Sequence, residues 1–176
     1  MTATNVKKCA VLNTSPVRKG VPEKATGQVK YTGDIALPGM LYGAILHSPI
    51  AHAKILNIDI SKAIKLPGVK AVLTSKEVSN IKFGHSPARF DETALAVDKV
   101  RHVGDEVAAV AAVDEQTARE ALELIKVDYE ELPFLLNPVD ALADNAPLIH
   151  AEYPRNICQE VHNEVGNVEK DLPRHI

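Results

Sequence analysis

The segment Glu106–Val113 limits the possible folds of this chain more strongly than any other. It reads EVAAVAAV, an apolar run that follows the turn pair Gly104–Asp105 and ends at Asp114. An apolar run of this length between turn signals is typical of a strand buried on both faces. We therefore predict that it forms the centre of a sheet.

An amphipathic helix is predicted directly after this strand. Asp114 is a favourable N-cap residue, because its carboxylate can accept hydrogen bonds from the free backbone N–H groups of a first helical turn. Apolar residues then recur at the i, i+3, i+4 and i+7 spacing of a helix that packs on a sheet: Ala118, Ala121, Leu122 and Ile125. Strand and helix together predict a layered arrangement.

Shorter elements are predicted on both sides of this pair. Strands are predicted at 28–31, 41–46, 54–60, 69–74 and 127–130, with ordered structure returning at 100–103. Short helices are predicted at 61–66, 75–78 and 137–143, with Ser61 and Asn137 as N-caps of the first and last. A long loop occupies 79–98. The predicted fold class is α+β, a mixed sheet with short helices packed on it.

Composition limits the classes of function. The 176 residues, 45% of them hydrophobic, are enough for one domain or two small ones, which excludes disorder of the whole chain. A net charge of −3 with interleaved signs shows no surface typical of binding to nucleic acid or anionic lipid. Two distant cysteines, Cys9 and Cys158, favour a reducing compartment. Without a signal or membrane-length segment, we expect a soluble, cytoplasmic protein.

The chain is predicted to have three regions. Residues 1–16 form an N-terminal arm, residues 17–150 form the folded domain, and residues 151–176 form a tail or a truncated linker. The arm shows no sustained period of apolar residues, and the tail loses periodicity after Pro154. The predicted core therefore lies in the middle region.

The seven histidines do not show the spacing of a known zinc motif. The nearest pair, His47 and His52, spans the Ser48–Pro49 bend and could meet in space, but this pattern is more typical of turn histidines bonded to the backbone. His85 lies in the long loop, where we expect it to be exposed. A hydrolytic metal site built from histidines is kept only as a minor alternative.

Other reactive residue types also lack a supporting pattern. The carboxylate pairs Asp91–Glu92 and Glu130–Glu131 are typical of a solvated surface, and Cys158 is not part of a thiol-enzyme motif. The glycines are isolated, so they do not predict a loop that cradles phosphate. We therefore assign no catalytic, cofactor-binding or metal-binding residue to this chain.

Several blocks of sequence nevertheless resemble one known family. They are 24–35 KATGQVKYTGDI, 47–55 HSPIAHAKI, 66–74 LPGVKAVLT, 103–110 VGDEVAAV and 125–133 IKVDYEELP. Their order and spacing are similar to those of the α/β hammerhead domain at the start of the molybdenum-binding large subunit of the xanthine dehydrogenase and aldehyde oxidase family. Within that family, the segment 96–105, AVDKVRHVGD, is most similar to large subunits of 4-hydroxybenzoyl-CoA reductases, with xanthine dehydrogenase subunits close behind.

The resemblance implies a non-catalytic portion of a molybdenum-dependent oxidoreductase, either a hydroxylase or a dehydrogenase. In such enzymes a molybdopterin performs the redox step, and iron-sulfur clusters and often FAD carry the electrons. The family's cofactor loops and catalytic glutamate lie beyond the hammerhead domain, so no cofactor is expected on this chain alone. The implied partners are the cofactor-binding domains and the iron-sulfur or flavin subunits. The alternative is a stand-alone assembly or scaffold domain without enzyme activity, which could be a homo-oligomer.

A surface that packs on such partners should expose apolar side chains. Phe83 and Phe90 in the long loop, together with Leu135 and Leu136, are candidates for it. An ordinary role in the core is an equally weighted interpretation of these four residues.

Overall fold

A computed structural model describes residues 15–16, 18–84 and 90–166 of the chain. The chain divides into two compact units, Met1–Met40 and Leu41–Ile176. Most of the predicted N-terminal arm, with Cys9, lies outside the described residues, as does His85 of the long loop. Among the described residues, no helix has the length and apolar composition needed to cross a membrane.

The first unit contains one short helix, α1 (Val21–Ala25), and a 3-10 turn at Thr32–Asp34. The predicted strand at 28–31 is wrong. The N–H groups of Gln28 and Val29 donate to the Glu23 carbonyl at 2.8 and 3.3 Å, so they close the end of α1 instead of joining a sheet.

The second unit contains two three-stranded sheets. Their strands are β1 (Tyr42–His47), β2 (Ala53–Asp59), β3 (Val69–Leu73), β4 (Lys99–Val100), β5 (Glu106–Ala112) and β6 (Lys126–Glu131). Sheet A has the strand order β1-β5-β3, and sheet B has the order β4-β2-β6. The strands predicted at 41–46, 54–60, 69–74 and 127–130 are confirmed within one or two residues at their ends.

Strand β5 is the centre of sheet A, as predicted. Helix α2 (Glu115–Leu124) follows it and packs on one face of the sheet. The Asp114 carboxylate accepts from the Thr117 N–H at 2.8 Å, which confirms the predicted N-cap. Small side chains allow helix and sheet to approach closely, and the buried cluster between them consists of Ala63, Val72, Ala108, Val110, Ala121 and Ile125.

Sheet B forms a second buried cluster. Ala53, Ala96, Val100 and Val107 are its buried members. Val107 belongs to β5, so the two clusters meet at the central strand of sheet A. One strand therefore contributes to both halves of the core.

The fold class predicted from the sequence, α+β, is confirmed. The strands form two sheets where one mixed sheet was expected, and all the described strand pairs are antiparallel. The chain alternates between the two sheets, with β1, β3 and β5 in sheet A and β2, β4 and β6 in sheet B. Successive strands consequently do not become parallel neighbours.

Two short helices were predicted incorrectly. Ser61 does not cap a helix, since only a 3-10 turn forms at Ala63–Lys65 and its N-cap position is Lys62. The Ser61 N–H donates to the Asp59 carboxylate at 2.9 Å. After β3 the Glu77 carboxylate accepts from both the N–H and the hydroxyl of Thr74, each at 2.7 Å. This is the arrangement of a capping box, which begins many helices, but only a turn at 75–77 follows it, so the helix predicted at 75–78 is wrong.

The remaining predictions agree with the structure in part. The long loop is confirmed in its described residues, where Phe83 and Glu92 form an isolated antiparallel bridge. Order returns after it, but β4 ends at Val100. The predicted short helix after Asn137 is α3 (Pro138–Ala141), and the Asn137 side chain accepts from the Val139 N–H at 2.9 Å.

Gly68 provides a stability test of the turn before β3, which packs against the start of α2. Its φ of +95° lies in the left-handed region, and an added Cβ would stand 3.0 Å from Val113 Cγ2 and 3.1 Å from Thr117 Cγ2 of α2. Gly68→Ala is expected to lower the free energy of unfolding by about 1–2 kcal/mol, measured by urea denaturation. The control is Gly43→Ala, where an added Cβ meets only a carbonyl oxygen at 4.0 Å. Equal stability of the two variants would contradict this packing.

Candidate functional site

Two adjoining clefts lie at one end of the second unit. The larger, of about 570 Å³, is called the acidic cleft, and its charged or titratable lining residues are Asp91, Glu92, Arg101, His102, Asp105, Glu106 and His150. The smaller, of about 350 Å³, is called the apolar cleft, and its lining includes Leu135, Leu136, Pro138, Ala141, Ile149 and Tyr153. Asp91 and His150 line both clefts, so they mark the boundary between them.

The turn between β4 and β5 builds one wall of the acidic cleft. The Arg101 N–H donates to the Asp105 carboxylate at 2.8 Å, which ends β4 and holds the turn closed. The Arg101 guanidinium lies 3.6 Å from Asp98 and donates to the Lys99 carbonyl at 3.3 Å. Its buried Nε atom has no hydrogen-bond partner among the described residues. The arginine is thus held by its own turn.

Asn156 builds the floor of the apolar cleft. Its side-chain oxygen accepts from the Ile149 N–H at 3.0 Å, and its amide nitrogen donates to the carbonyls of Ala141 and Pro147, each at 3.1 Å. Arg155 and Asn156 both adopt positive φ, 58° and 57°. This one side chain therefore ties the end of α3 to the backbone at residues 147–149.

His150 is the partly buried titratable group between the clefts. Burial lowers its pKa below the ordinary value of 6.5, and the nearby Arg101 charge lowers it further. The ring stacks at an angle on Tyr153, with ring centroids 5.6 Å apart. Both effects on the pKa favour the neutral form of the imidazole over the charged form.

An exposed ion pair joins two segments beside His150. The Lys82 ammonium lies 3.1 Å from the Glu152 carboxylate. Lys82 belongs to the long loop, and Glu152 belongs to the segment after α3. The pair connects these two segments at the surface of the second unit.

The predicted histidine pair is bonded to backbone carbonyls. His47 Nδ1 lies 2.6 Å from the Gly104 oxygen, and His52 Nδ1 lies 2.7 Å from the Pro133 oxygen. Since a carbonyl can only accept, each ring donates from Nδ1. The interpretation as turn histidines is confirmed. No group of three His, Cys, Asp or Glu side chains suited to a metal ion occurs in the parts of the chain that the structure describes.

The predicted carboxylate pairs are placed differently. Glu130 forms an exposed ion pair with Lys54 at 3.0 Å, and Glu131 is exposed, which confirms their surface role. Asp91 instead lines both clefts, and Glu92 lines the acidic cleft. Cys158 is an exposed free thiol at the lining of the apolar cleft.

The candidate contact residues are mostly exposed. Leu136 is 85% exposed, Phe83 and Phe90 are about half exposed, and Leu135 is half-buried in the lining of the apolar cleft. A core role is therefore wrong for Phe83, Phe90 and Leu136. The sequence pattern does not reveal the roles of Arg101 and Asn156, because their partners come together only once the turns around them are formed.

Comparison with known proteins identifies the family. Residues 26–133 match the family model described as aldehyde oxidase and xanthine dehydrogenase, a/b hammerhead domain. The chain belongs to this family. It is 43% identical over 157 residues to a Bacillus subtilis protein named as a probable xanthine dehydrogenase subunit, covering 89% of this chain and 20% of that protein.

A second relative and a solved structure support the same family assignment. The Escherichia coli O157:H7 xanthine dehydrogenase molybdenum-binding subunit is 38% identical over 159 residues, covering 85% of this chain and 21% of that subunit. The Desulfovibrio gigas aldehyde oxidoreductase superposes with a TM-score of 0.72 at 36% identity, covering 78% of this chain and 16% of that one. The chain therefore spans about a fifth of the length of these two relatives.

The described clefts do not fit a molybdenum-pterin cofactor. Its phosphate would meet the four carboxylates that line the acidic cleft, against the single guanidinium of Arg101. Phosphate sites use clustered backbone N–H groups, and the glycines that would let a backbone approach are isolated in this sequence. We accordingly derive no catalytic step through the cofactor from these residues.

The lowered pKa of His150 gives the stability of the unit a pH dependence. As the pH falls below about 6.5, the unfolded chain binds a proton at His150 before the folded chain does, so stability is lost toward acid. Between about pH 7.5 and pH 5.5, the free energy of unfolding should fall more in the wild type than in His150→Gln, measured by urea denaturation at each pH. Identical pH slopes would contradict the burial of this imidazole.

Asn156→Ala tests the clamp under the apolar cleft. It removes the hydrogen bonds to one N–H and two carbonyls, and the expected loss in the free energy of unfolding is about 2 kcal/mol. Asn80→Ala removes an exposed amide of the long loop and should stay within about 0.5 kcal/mol of the wild type. Thermal and urea unfolding measure both. A change in Asn156→Ala no larger than in the control would show that the clamp does not stabilise the unit.

Proposed function

We propose that this chain is the non-catalytic hammerhead portion of a molybdenum-dependent oxidoreductase large subunit. The observation that carries the proposal is the family match over residues 26–133, by a chain that spans about a fifth of its relatives. A domain of this size in a larger subunit acts by packing on the parts that hold the cofactor. The reaction itself, a hydroxylation or a dehydrogenation, belongs to the whole enzyme.

The acidic cleft favours a structural role over a catalytic one. General acid-base chemistry needs a group whose protonation changes near the working pH and that faces a substrate. Burial and the Arg101 charge lower the pKa of His150, and the other charged residues that line the cleft are mostly carboxylates. This set can stabilise a loop against the domain, as the Lys82–Glu152 pair also does.

The cofactors of the proposed complex are held outside this chain. One relative is named a molybdenum-binding subunit, and another is named as a subunit of a probable xanthine dehydrogenase, which supports a molybdenum enzyme of several polypeptides. We propose that molybdopterin is bound by the remainder of the large subunit, and that iron-sulfur clusters and FAD are carried by partner domains or subunits.

Two observations support different substrate classes. Residues 96–105 support a 4-hydroxybenzoyl-CoA reductase, whereas the names of the two relatives support a xanthine dehydrogenase. We place the complex in the cytoplasm, because two cysteines so far apart in sequence are typical of a reducing compartment. We also retain the division into an arm at 1–16, a domain at 17–150 and a tail or linker at 151–176.

Affinity capture of the tagged chain from its source cells tests this function. We expect identified molybdenum-binding and iron-sulfur polypeptides in the captured fraction by mass spectrometry, with stoichiometric molybdenum by elemental analysis. The same chain produced alone should contain no molybdenum and should hydroxylate no purine or aldehyde. Stoichiometric molybdenum or hydroxylase activity in the isolated chain would contradict the proposal, and capture of the chain alone as a homo-oligomer would favour a stand-alone scaffold.

A further inference from the structure

Sheet A has one covered face and one face that is open in part. Helix α2 covers the face that contains Ala108 and Val110. Val107, Ala109 and Ala111 alternate with them in β5 and point to the opposite face, because side chains alternate along a strand. Val107 is fully buried in the cluster with sheet B, so the open part of this face begins at Ala109. The ladder places Ala109 between Ile45 and Leu73, and it places Ala111 between Gly43 and Ala71. These six residues define the open face: Gly43, Ile45, Ala71, Leu73, Ala109 and Ala111.

The open face is apolar and accessible. All six of its residues are apolar or glycine. Ile45 is 47% exposed and Leu73 is 38% exposed, which are high values for large aliphatic side chains in paired strands. Leu41 and Val113 continue the alternation one position beyond the ladder, and both are also exposed. A soluble protein seldom leaves such a continuous apolar surface uncovered.

The shape of the open face favours close packing. Gly43, Ala71, Ala109 and Ala111 lie together in a shallow centre, with Ile45 and Leu73 at one end. Nothing in the described chain fills the space above Gly43, since an added Cβ would meet only the Val110 oxygen at 4.0 Å. Small residues let a second layer approach closely, as Ala118 and Ala121 do on the opposite face.

We propose that the open face of sheet A is the surface on which the remainder of the large subunit packs. This inference rests on the proposed function and deepens it, because it names the surface. The relatives are about five times longer than this chain, so a large polypeptide of the same subunit needs a docking site on the domain. The six residues carry no charge, which matches an apolar protein surface and gives no basis for binding nucleic acid.

A second copy of this chain is the weaker occupant. A polypeptide of the same subunit is held at an effective concentration in the millimolar range, which a separate copy does not reach in a cell. The remainder of the large subunit therefore binds the open face before a second copy can. Ile45 and Phe83 also line the acidic cleft, so the open face continues toward the exposed aromatic side chain of the long loop.

Gly43→Lys is the variant that separates docking from folding. The lysine has space in the isolated chain and introduces a charge at the centre of the open face. Leu56→Lys is the matched control, because Leu56 is 62% exposed in β2 of sheet B and the substitution introduces the same charge. Circular dichroism and thermal unfolding of the isolated variants should match the wild type.

The test places the whole chain in a working subunit. The chain replaces the matching fifth of the Escherichia coli O157:H7 xanthine dehydrogenase molybdenum-binding subunit, with the rest of that subunit and its partners unchanged. We expect the wild-type chimaera and Leu56→Lys to give soluble subunit with bound molybdenum. Gly43→Lys should lower that yield about tenfold, the factor that corresponds to about 1.4 kcal/mol of lost packing.

The outcomes distinguish the two proposals. If the wild-type chimaera fails to assemble, the proposed function is contradicted and the docking surface with it. If all three chimaeras assemble equally, or if the control loses as much as Gly43→Lys, only the docking surface is overturned. Sedimentation of the isolated chain should show a monomer. A dimer that Gly43→Lys dissociates would assign the open face to a second copy and overturn the proposal.

Discussion

Burial of β5 organises both halves of the second unit. The strand pairs with β1 on one side and β3 on the other, and its Ala108 and Val110 enter the cluster under α2. Its Val107 enters the second cluster beneath sheet B. Because one strand supplies both clusters, the two sheets cannot form separate cores. Val107 lies on the face of sheet A opposite α2, so sheet B covers that face near Val107, and the part of the face around Ala109 and Ala111 is open.

Local sequence patterns predicted the parts of the fold that short-range interactions determine. The apolar run at 106–113 and the Asp114 cap determine β5 and α2, because burial and capping act within a few residues. The helix predicted at 75–78 is only a turn, although Thr74 and Glu77 form a capping box. At 28–31 the Glu23 carbonyl captures N–H groups that a strand would pair, and at the start of 61–66 the Asp59 carboxylate captures the Ser61 N–H. Propensity alone does not report such competition.

Less of the candidate site than of the fold could be predicted from the sequence. The backbone role of His47 and His52 could be inferred, because both flank a Ser-Pro bend. The position of Arg101 against Asp98 and the three hydrogen bonds of Asn156 could not, since they depend on how separate turns fold together. The site consists of structural contacts around a histidine whose pKa is lowered by burial. This agrees with the proposed role of the domain as a packing surface, and the family match is the observation that carries that proposal.

Hydroxyl-radical footprinting can determine whether the open face of sheet A is covered in the enzyme, since it reports side-chain accessibility in the isolated chain and in the assembled molybdenum-binding subunit. We expect oxidation of Ile45 and Leu73 to fall strongly on assembly, while oxidation of the exposed Leu56 on sheet B stays unchanged. The contradicting result is that Ile45 and Leu73 remain as reactive in the assembled subunit as in the isolated chain.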